Sequence, residues 1–129
     1  MTLFEIVALY AAINLLLAPI LMFRIGKVRI GKKVNLGDGG DPELFSRIRT
    51  HGNFIENAPL LLIGLLCLAS LSVLPIVLHI FGAGFTLGRI AHALGMAGTF
   101  KQGRLVGTLA TIVSYIGMAL TLIYMILAH

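Results

Sequence analysis

Three polar residues stand at the start of an apolar stretch, in the segment RTHGNFIENAPLLLIGLLCL that covers residues 49–68. Arg49, Asn53 and Glu56 are four and three residues apart, which places them on one face of a helix. Ionisable groups inside a membrane cost several kcal/mol unless they are paired, and they commonly mark functional sites. The segment therefore predicts a polar site at the mouth of a membrane-spanning helix.

Arg89, in a later apolar segment, is the expected partner of this site. At 1.5 Å per residue, Glu56 lies about 18 Å from the far end of its helix, and Arg89 lies about 21 Å along the antiparallel helix. We therefore expect Glu56 and Arg89 to be in contact or bridged by a ligand. A buried ion pair that only fixes helix docking is the alternative, but the nearby Asn53 and His51 favour a site.

The charges around this site predict an anionic ligand. Arginine recognises carboxylate and phosphate groups bidentately, and the arginines that lie toward this side of the membrane outnumber the acids: Arg24, Arg29, Arg49, Arg89 and Arg104. His92 lies one turn beyond Arg89. The alternative to a binding role is that this lone histidine serves packing or hydrogen bonding. No zinc-type His and Cys spacing is present, so we expect no metal. The sequence also lacks a phosphate loop, a catalytic-triad signal and a dinucleotide fingerprint.

The composition indicates a small membrane protein with one domain. Of its 129 residues, 58% are hydrophobic and 12% are charged, whereas soluble domains have about 25% charged residues. Seven of the ten Lys and Arg residues fall between Arg24 and Arg49. This clustering reflects the positive-inside bias and does not indicate a nucleic-acid partner. The single cysteine, Cys67, cannot form a disulfide within the chain, and we expect it to serve packing.

The apolar segments predict an all-α bundle of four transmembrane helices, in a single domain over residues 1–129. The spans cover about residues 4–23, 42–69, 75–97 and 104–128. The basic residues follow the first apolar run, whereas they would precede it in a secretory signal peptide. Both basic clusters then face the cytoplasm, and both termini lie on the other side.

Several residues predict where the helices begin and how they pack. Asp41 is the expected N-cap of the second helix and Pro42 its first residue, while Ser72 is a possible N-cap for the third. Pro59 predicts a kink. Small residues spaced four apart on the third helix, such as Gly84 with Gly88, allow close helix approach within the chain or between subunits.

These features together resemble the MAPEG superfamily, the membrane-associated proteins of eicosanoid and glutathione metabolism, in its bacterial branch. The segment RIRTHGNFIENAP matches the Arg-x-x-x-Asn-x-x-Glu signature of that family at Arg49, Asn53 and Glu56. Arg89 in GRIAHALG and Arg104 in KQGRLVGT match two further positions. The resemblance covers nearly the whole chain. It implies a homotrimer in a bacterial inner membrane, with glutathione bound between subunits toward the cytoplasm.

The resemblance also implies a role for each site residue. Those that would bind glutathione are Arg49, His51, Asn53, Glu56, Arg89 and His92, together with Arg29 from a neighbouring subunit. Arg104 would be the catalytic residue beside the thiol. A free thiol has a pKa near 8.5, and its thiolate is the nucleophile. Lowering this pKa by two units needs about 2.7 kcal/mol, which one nearby guanidinium can supply.

The implied function is a glutathione-dependent transferase or peroxidase that acts on a lipophilic electrophile delivered by the membrane lipids. The chain departs from the family where active members often have tyrosines, since His92 and Met96 occupy those positions. One alternative is therefore a non-catalytic glutathione- or lipid-binding protein of the same fold. Another is a small proton-coupled multidrug exporter, which would need an acid in the middle of the first span, where this chain has Asn14.

Overall fold

A computed structural model of the chain describes residues 1–128, and this part of the chain folds into four α-helices. They are α1 (Leu3–Lys32), α2 (Pro42–Ser70), α3 (Pro75–Met96) and α4 (Gly103–Leu127). Each is long and apolar enough to cross a membrane. The predicted all-α membrane fold is therefore confirmed.

The first helix continues nine residues beyond the predicted span, from Arg24 to Lys32. This extension is about 14 Å long. Most of the basic residues that we expected in a loop therefore lie on helical turns of α1. The α1–α2 connection is fixed to this extension by polar contacts. Arg29 Nη1 donates to the carbonyl oxygen of Gly37 at 2.8 Å, and Lys32 Nζ lies 3.1 Å from Asp41 Oδ2.

The predicted start of α2 is confirmed, but the predicted cap of α3 is wrong. Asp41 Oδ1 accepts a hydrogen bond from the backbone N–H of Leu44 at 2.9 Å. Ser72 does not cap α3, because the N-cap position belongs to Leu74, which has no capping side chain. Ser72 instead adopts a φ of 58° in the tight turn after α2, and Pro75 begins the next helix without a capping hydrogen bond.

Helices α3 and α4 approach each other through glycines. A Cβ atom on Gly103 would overlap the carbonyl oxygen of Ala91, and one on Gly107 would overlap that of Gly88. A Cβ atom on Gly95 would likewise overlap the backbone nitrogen of Arg104. The small residues predicted on the third helix thus serve backbone-to-backbone packing within the chain, as is common between membrane helices.

The apolar core lies between the helices, while the outer surface is also apolar. Leu61, Leu65 and Leu68 of α2 are fully buried. Cys67 is exposed on the outer side of the same helix, so the expectation that it packs inside the chain is wrong. A helix that is apolar all round gives no sign of which face turns inward, and this explains the error.

Candidate functional site

A cavity of about 420 Å³ opens between α2, α3 and α4, at the end of the bundle where α2 and α4 begin. Its volume falls within the range of about 300–1,000 Å³ that is usual for small-molecule sites. We call it the site cavity. Its lining residues are Phe45, Arg49, Asn53, His92, Met96, Arg104 and Thr108.

Helical spacing and close packing bring these side chains together. Each helix contributes residues four apart, which lie one turn above another on the same face: Phe45, Arg49 and Asn53 on α2, His92 and Met96 on α3, and Arg104 and Thr108 on α4. The glycine contact between α3 and α4 sets the width of the cavity. A Cβ atom on Gly107 would lie 2.5 Å from that of His92, so any larger residue there would separate the two walls.

Arg89 lies behind the site cavity and is almost completely buried, at 3% exposure. Its Nη1 donates to Oδ1 of Asn53, and its Nη2 donates to the carbonyl oxygen of Gly107. The guanidinium carbon also lies 5.5 Å from the centre of the Phe85 ring, within cation–π range. Arg89 therefore connects α2, α3 and α4, and it holds the Asn53 side chain in place.

Glu56 does not contact Arg89, so the predicted ion pair between them is wrong. Glu56 Oε1 instead lies 3.9 Å from Arg49 Nη1, and both side chains are more than half exposed, at 59% and 51%. The rise per residue predicted how deep Glu56 lies along α2, but it did not predict toward which side of the helix the Glu56 side chain points. Asn53 precedes it by three residues, or about 300° of helical rotation, so their side chains point about 60° apart. Asn53 faces inward and takes the place expected for Glu56.

The remaining predicted site residues lie apart from the site cavity in the single chain. His51 is half-buried and is not among the lining residues, since it is two positions from both Arg49 and Asn53 on α2. Arg29 Nη1 donates to carbonyl oxygens of the α1–α2 connection. The role implied for Arg29 in a neighbouring subunit stays a prediction.

Comparison with known proteins identifies the family of this chain. The model of the MAPEG family matches residues 7–124, a range that includes parts of all four helices described above. The chain belongs to the MAPEG family. The predicted resemblance is thereby confirmed.

Curated relatives of this MAPEG chain occur in Escherichia coli. The inner membrane protein YecN of strain K12 is 34% identical over 104 residues, which are 81% of this chain and 79% of YecN. YecN of strain O6:H1 (CFT073) gives the same figures. No solved structure matches the chain.

This MAPEG chain has a second, smaller cavity of about 130 Å³ that the sequence did not predict. It shares Asn53 and Thr108 with the site cavity and extends along α2 and α4. Tyr115 donates its hydroxyl hydrogen to Oδ1 of Asn57 at 2.8 Å. The sequence could have indicated Asn57 as a site residue, because it lies four residues after Asn53 and therefore on the same face of α2. No pattern in the sequence connects it with Tyr115, which is 58 residues further along.

Proposed function

We propose that this MAPEG protein binds glutathione in the site cavity and activates its thiol against a lipophilic electrophile from the membrane. The observation that carries this proposal is the charge arrangement of the cavity. Two of its lining residues, Arg49 and Arg104, are cationic and none is acidic, while Glu56 pairs with Arg49 from outside the lining. Glutathione is a net anion whose carboxylates suit these cations.

The tripeptide would be held by side chains from two helices. Arg49 binds a glutathione carboxylate, because a guanidinium matches the geometry of a carboxylate. Glu56 accepts the ammonium group at the more exposed rim. Asn53 is oriented by the buried Arg89, and its amide nitrogen donates to a peptide carbonyl of glutathione. His92 and Met96 form the α3 wall.

Arg104 is the residue best placed to stabilise the thiolate. It occupies the first turn of α4, where the positive end of the helix dipole also favours an anion. Within residues 1–128, Arg104 takes part in no salt bridge. The thiol gives its proton to water. The thiolate sulfur then forms a bond to the electrophilic carbon, and the leaving group departs with the electron pair of the broken bond.

Substitution of Arg104 tests this function. Glutathione binding is measured by calorimetry in detergent, the thiolate by its near-ultraviolet absorbance, and turnover with an aromatic electrophile. We expect Arg104→Ser to retain binding and to return the thiol pKa toward 8.5. If the pKa in the wild type is two units lower, the rate at neutral pH should fall about 25-fold. Lys101→Ser removes the same charge from the preceding turn, outside the cavity lining, and is the matched control.

The second candidate function is glutathione binding without turnover. The lining of the site cavity favours it. His92 and Met96 form the α3 wall, and no tyrosine is among the lining residues in the described part of the chain. Tyr115 is nearby, but its hydroxyl group donates to Asn57. If the protein binds glutathione but leaves the thiol pKa unchanged and shows no turnover, it is a binding protein and not an enzyme. Membership of the MAPEG family disfavours the exporter. At the position where an exporter would need an acid, Asn14 of α1 donates a hydrogen bond from its amide nitrogen to Thr86 Oγ1 at 3.0 Å.

We further propose an inner-membrane homotrimer with its basic side in the cytoplasm. The E. coli relatives are named inner membrane proteins, and the basic residues concentrate at one end of the bundle. With Cys67 replaced by alanine, single cysteines at positions 32 and 72 should be labelled from opposite sides of the membrane. Labelling from the same side would contradict this orientation. Light scattering of the detergent-solubilised protein measures the number of subunits.

A further inference from the structure

A second basic cavity lies between the extension of α1 and the start of α2. Its volume is about 420 Å³, and it shares no lining residue with the site cavity. We call it the α1–α2 basic cavity. Its lining residues are Arg24, Lys27, Val28, Gly31, Lys32, Glu43 and Arg47.

The charges of this cavity are unbalanced. Four of its lining residues are cationic and one, Glu43, is acidic. Glu43 Oε1 lies 3.5 Å from Arg47, and the nearby Asp41 pairs with Lys32. Arg24 and Lys27 take part in no salt bridge within residues 1–128. These two side chains are therefore available to an anion from outside the chain.

The shape of the cavity also provides room for such an anion. Arg24, Lys27 and Gly31 are three and four residues apart, so they share one face of α1. A Cβ atom on Gly31 would meet no atom within 4 Å. The floor between the basic side chains is consequently open, and a bulky residue at position 31 would obstruct it.

The position of the cavity along α1 indicates which anion it receives. Arg24 is the first charge after 18 uncharged residues, Ile6–Phe23, so the cavity lies at the end of the apolar run. On the same face of α1, one and two turns below Arg24, Ile20 and Leu16 are 55% and 69% exposed. A basic cavity directly above an exposed apolar surface matches a phospholipid, with its phosphate in the cavity and its acyl chains along the helix.

We propose that the α1–α2 basic cavity binds the phosphate group of an anionic phospholipid in the leaflet on this side of the membrane. Basic pockets between membrane helices at this depth recognise anionic headgroups. Arg24 and Lys27 contact the phosphate oxygens, and Ile20, one turn below Arg24, contacts the upper part of the acyl chains. This binding site is separate from the proposed glutathione site and does not depend on it.

Lipid adducts of the purified protein, observed by native mass spectrometry, test this inference. Phosphatidylglycerol is titrated in non-ionic detergent and compared with phosphatidylcholine. We expect Arg24→Gln/Lys27→Gln to weaken phosphatidylglycerol binding about thirtyfold, because each basic residue near anionic lipid contributes about 1 kcal/mol. Lys33→Gln/Lys101→Gln removes the same charge from exposed positions outside the cavity and should bind like the wild type.

A steric variant separates a defined site from general attraction to basic surface. Gly31→Phe keeps every charge but fills the cavity, so it should weaken binding as the double variant does. Gly26→Phe is its matched control, because a Cβ atom there also meets no atom within 4 Å and Gly26 does not line the cavity. Circular dichroism confirms that each variant remains helical.

Three results would overturn the proposal. Wild-type binding by Gly31→Phe would show diffuse electrostatic attraction. Equal binding of phosphatidylcholine would show that apolar contact alone holds the lipid. Displacement of phosphatidylglycerol by inorganic phosphate at equal concentration would show a site for free phosphate and not for a lipid.

Discussion

Arg89 and Arg49 stand on either side of Asn53, yet their surroundings differ sharply. Arg89 is 3% exposed, and its guanidinium group donates hydrogen bonds to Asn53 and Gly107 and lies over the face of Phe85. The side chain of Arg49 is 51% exposed, and its partner is one exposed carboxylate at 3.9 Å. The difference indicates that the inner arginine fixes the three helices, whereas the outer one remains available to a ligand.

This division follows from the cost of a charge in a membrane. A buried cation must keep its hydrogen-bond partners, since an unsatisfied charged group is more costly than a neutral one. A cation at the mouth of a helix is partly hydrated and can exchange partners with little change in stability. Substitutions around Arg89 should therefore reduce stability, and substitutions around Arg49 should reduce ligand binding.

The largest effect is expected from Asn53→Ala. This variant removes the acceptor from a buried guanidinium group, so it should lower the free energy of unfolding by about 3 kcal/mol. Thermal unfolding in detergent, followed by circular dichroism, measures the loss. Arg49→Ala, one turn away on the same face, is the control and should change stability by about 1 kcal/mol at most. Equal losses in the two variants would remove the distinction between inner and outer arginines.

A slightly smaller effect is expected where glycines bring the Arg89 cluster together. Gly107→Ala adds a methyl group that would overlap the carbonyl oxygen of Gly88, so α3 and α4 must separate, at a cost of about 2 kcal/mol. In Gly84→Ala the new methyl group lies 3.9 Å from Ser114 Oγ, an ordinary contact. This control should be neutral or more stable, because alanine favours helix. A Gly107→Ala variant as stable as the wild type would show that α3 and α4 can move apart without loss of stability.

The sequence predicted the parts of this site that depend on local rules. Asp41 and Pro42 located the start of α2, because capping acts within one turn. The spacing of Arg49 and Asn53 placed both on the wall of one cavity, as the structure has them. Proline also located the start of α3 at Pro75.

What the sequence missed depends on helix rotation and on contacts between distant residues. The rise per residue put Glu56 and Arg89 at one depth, but only the packing of α2 decides that Asn53 faces Arg89. The contact of Tyr115 with Asn57 is likewise set by how α4 docks on α2. The exposure of Cys67 was missed for a related reason, because both the inner and the outer faces of α2 are apolar.

A smaller and pH-dependent effect is expected at Asp41, outside the membrane spans. The hydrogen bond from the backbone of Leu44, followed by the contact with Lys32, lowers the pKa of Asp41 from its ordinary value of 3.8. A lowered pKa in the folded state means that the carboxylate stabilises the fold above pH 3.8, and that this stabilisation is lost as the pH falls through the folded pKa.

Asp41→Asn isolates this charge, because asparagine is an equally good N-cap. The variant should melt below the wild type at neutral pH, and the difference should shrink as the pH falls below 3.8. Melting curves over this range measure it. A difference that stays constant with pH would mean that the carboxylate is not the source of the stabilisation.

The smallest effect on stability is expected from Glu56→Ala. Had Glu56 been the partner of Arg89, its loss would have left a buried charge unpaired, at a cost of about 3–5 kcal/mol. Because Glu56 is 59% exposed and pairs with Arg49 at 3.9 Å, the change should be less than about 1 kcal/mol. Glutathione binding should weaken nonetheless, since the variant lacks the acceptor proposed for the ammonium group. Melting and calorimetry on one preparation separate the two roles. A Glu56→Ala variant that melts like Asn53→Ala would place Glu56 with the buried arginine and would overturn the distinction between the two regions.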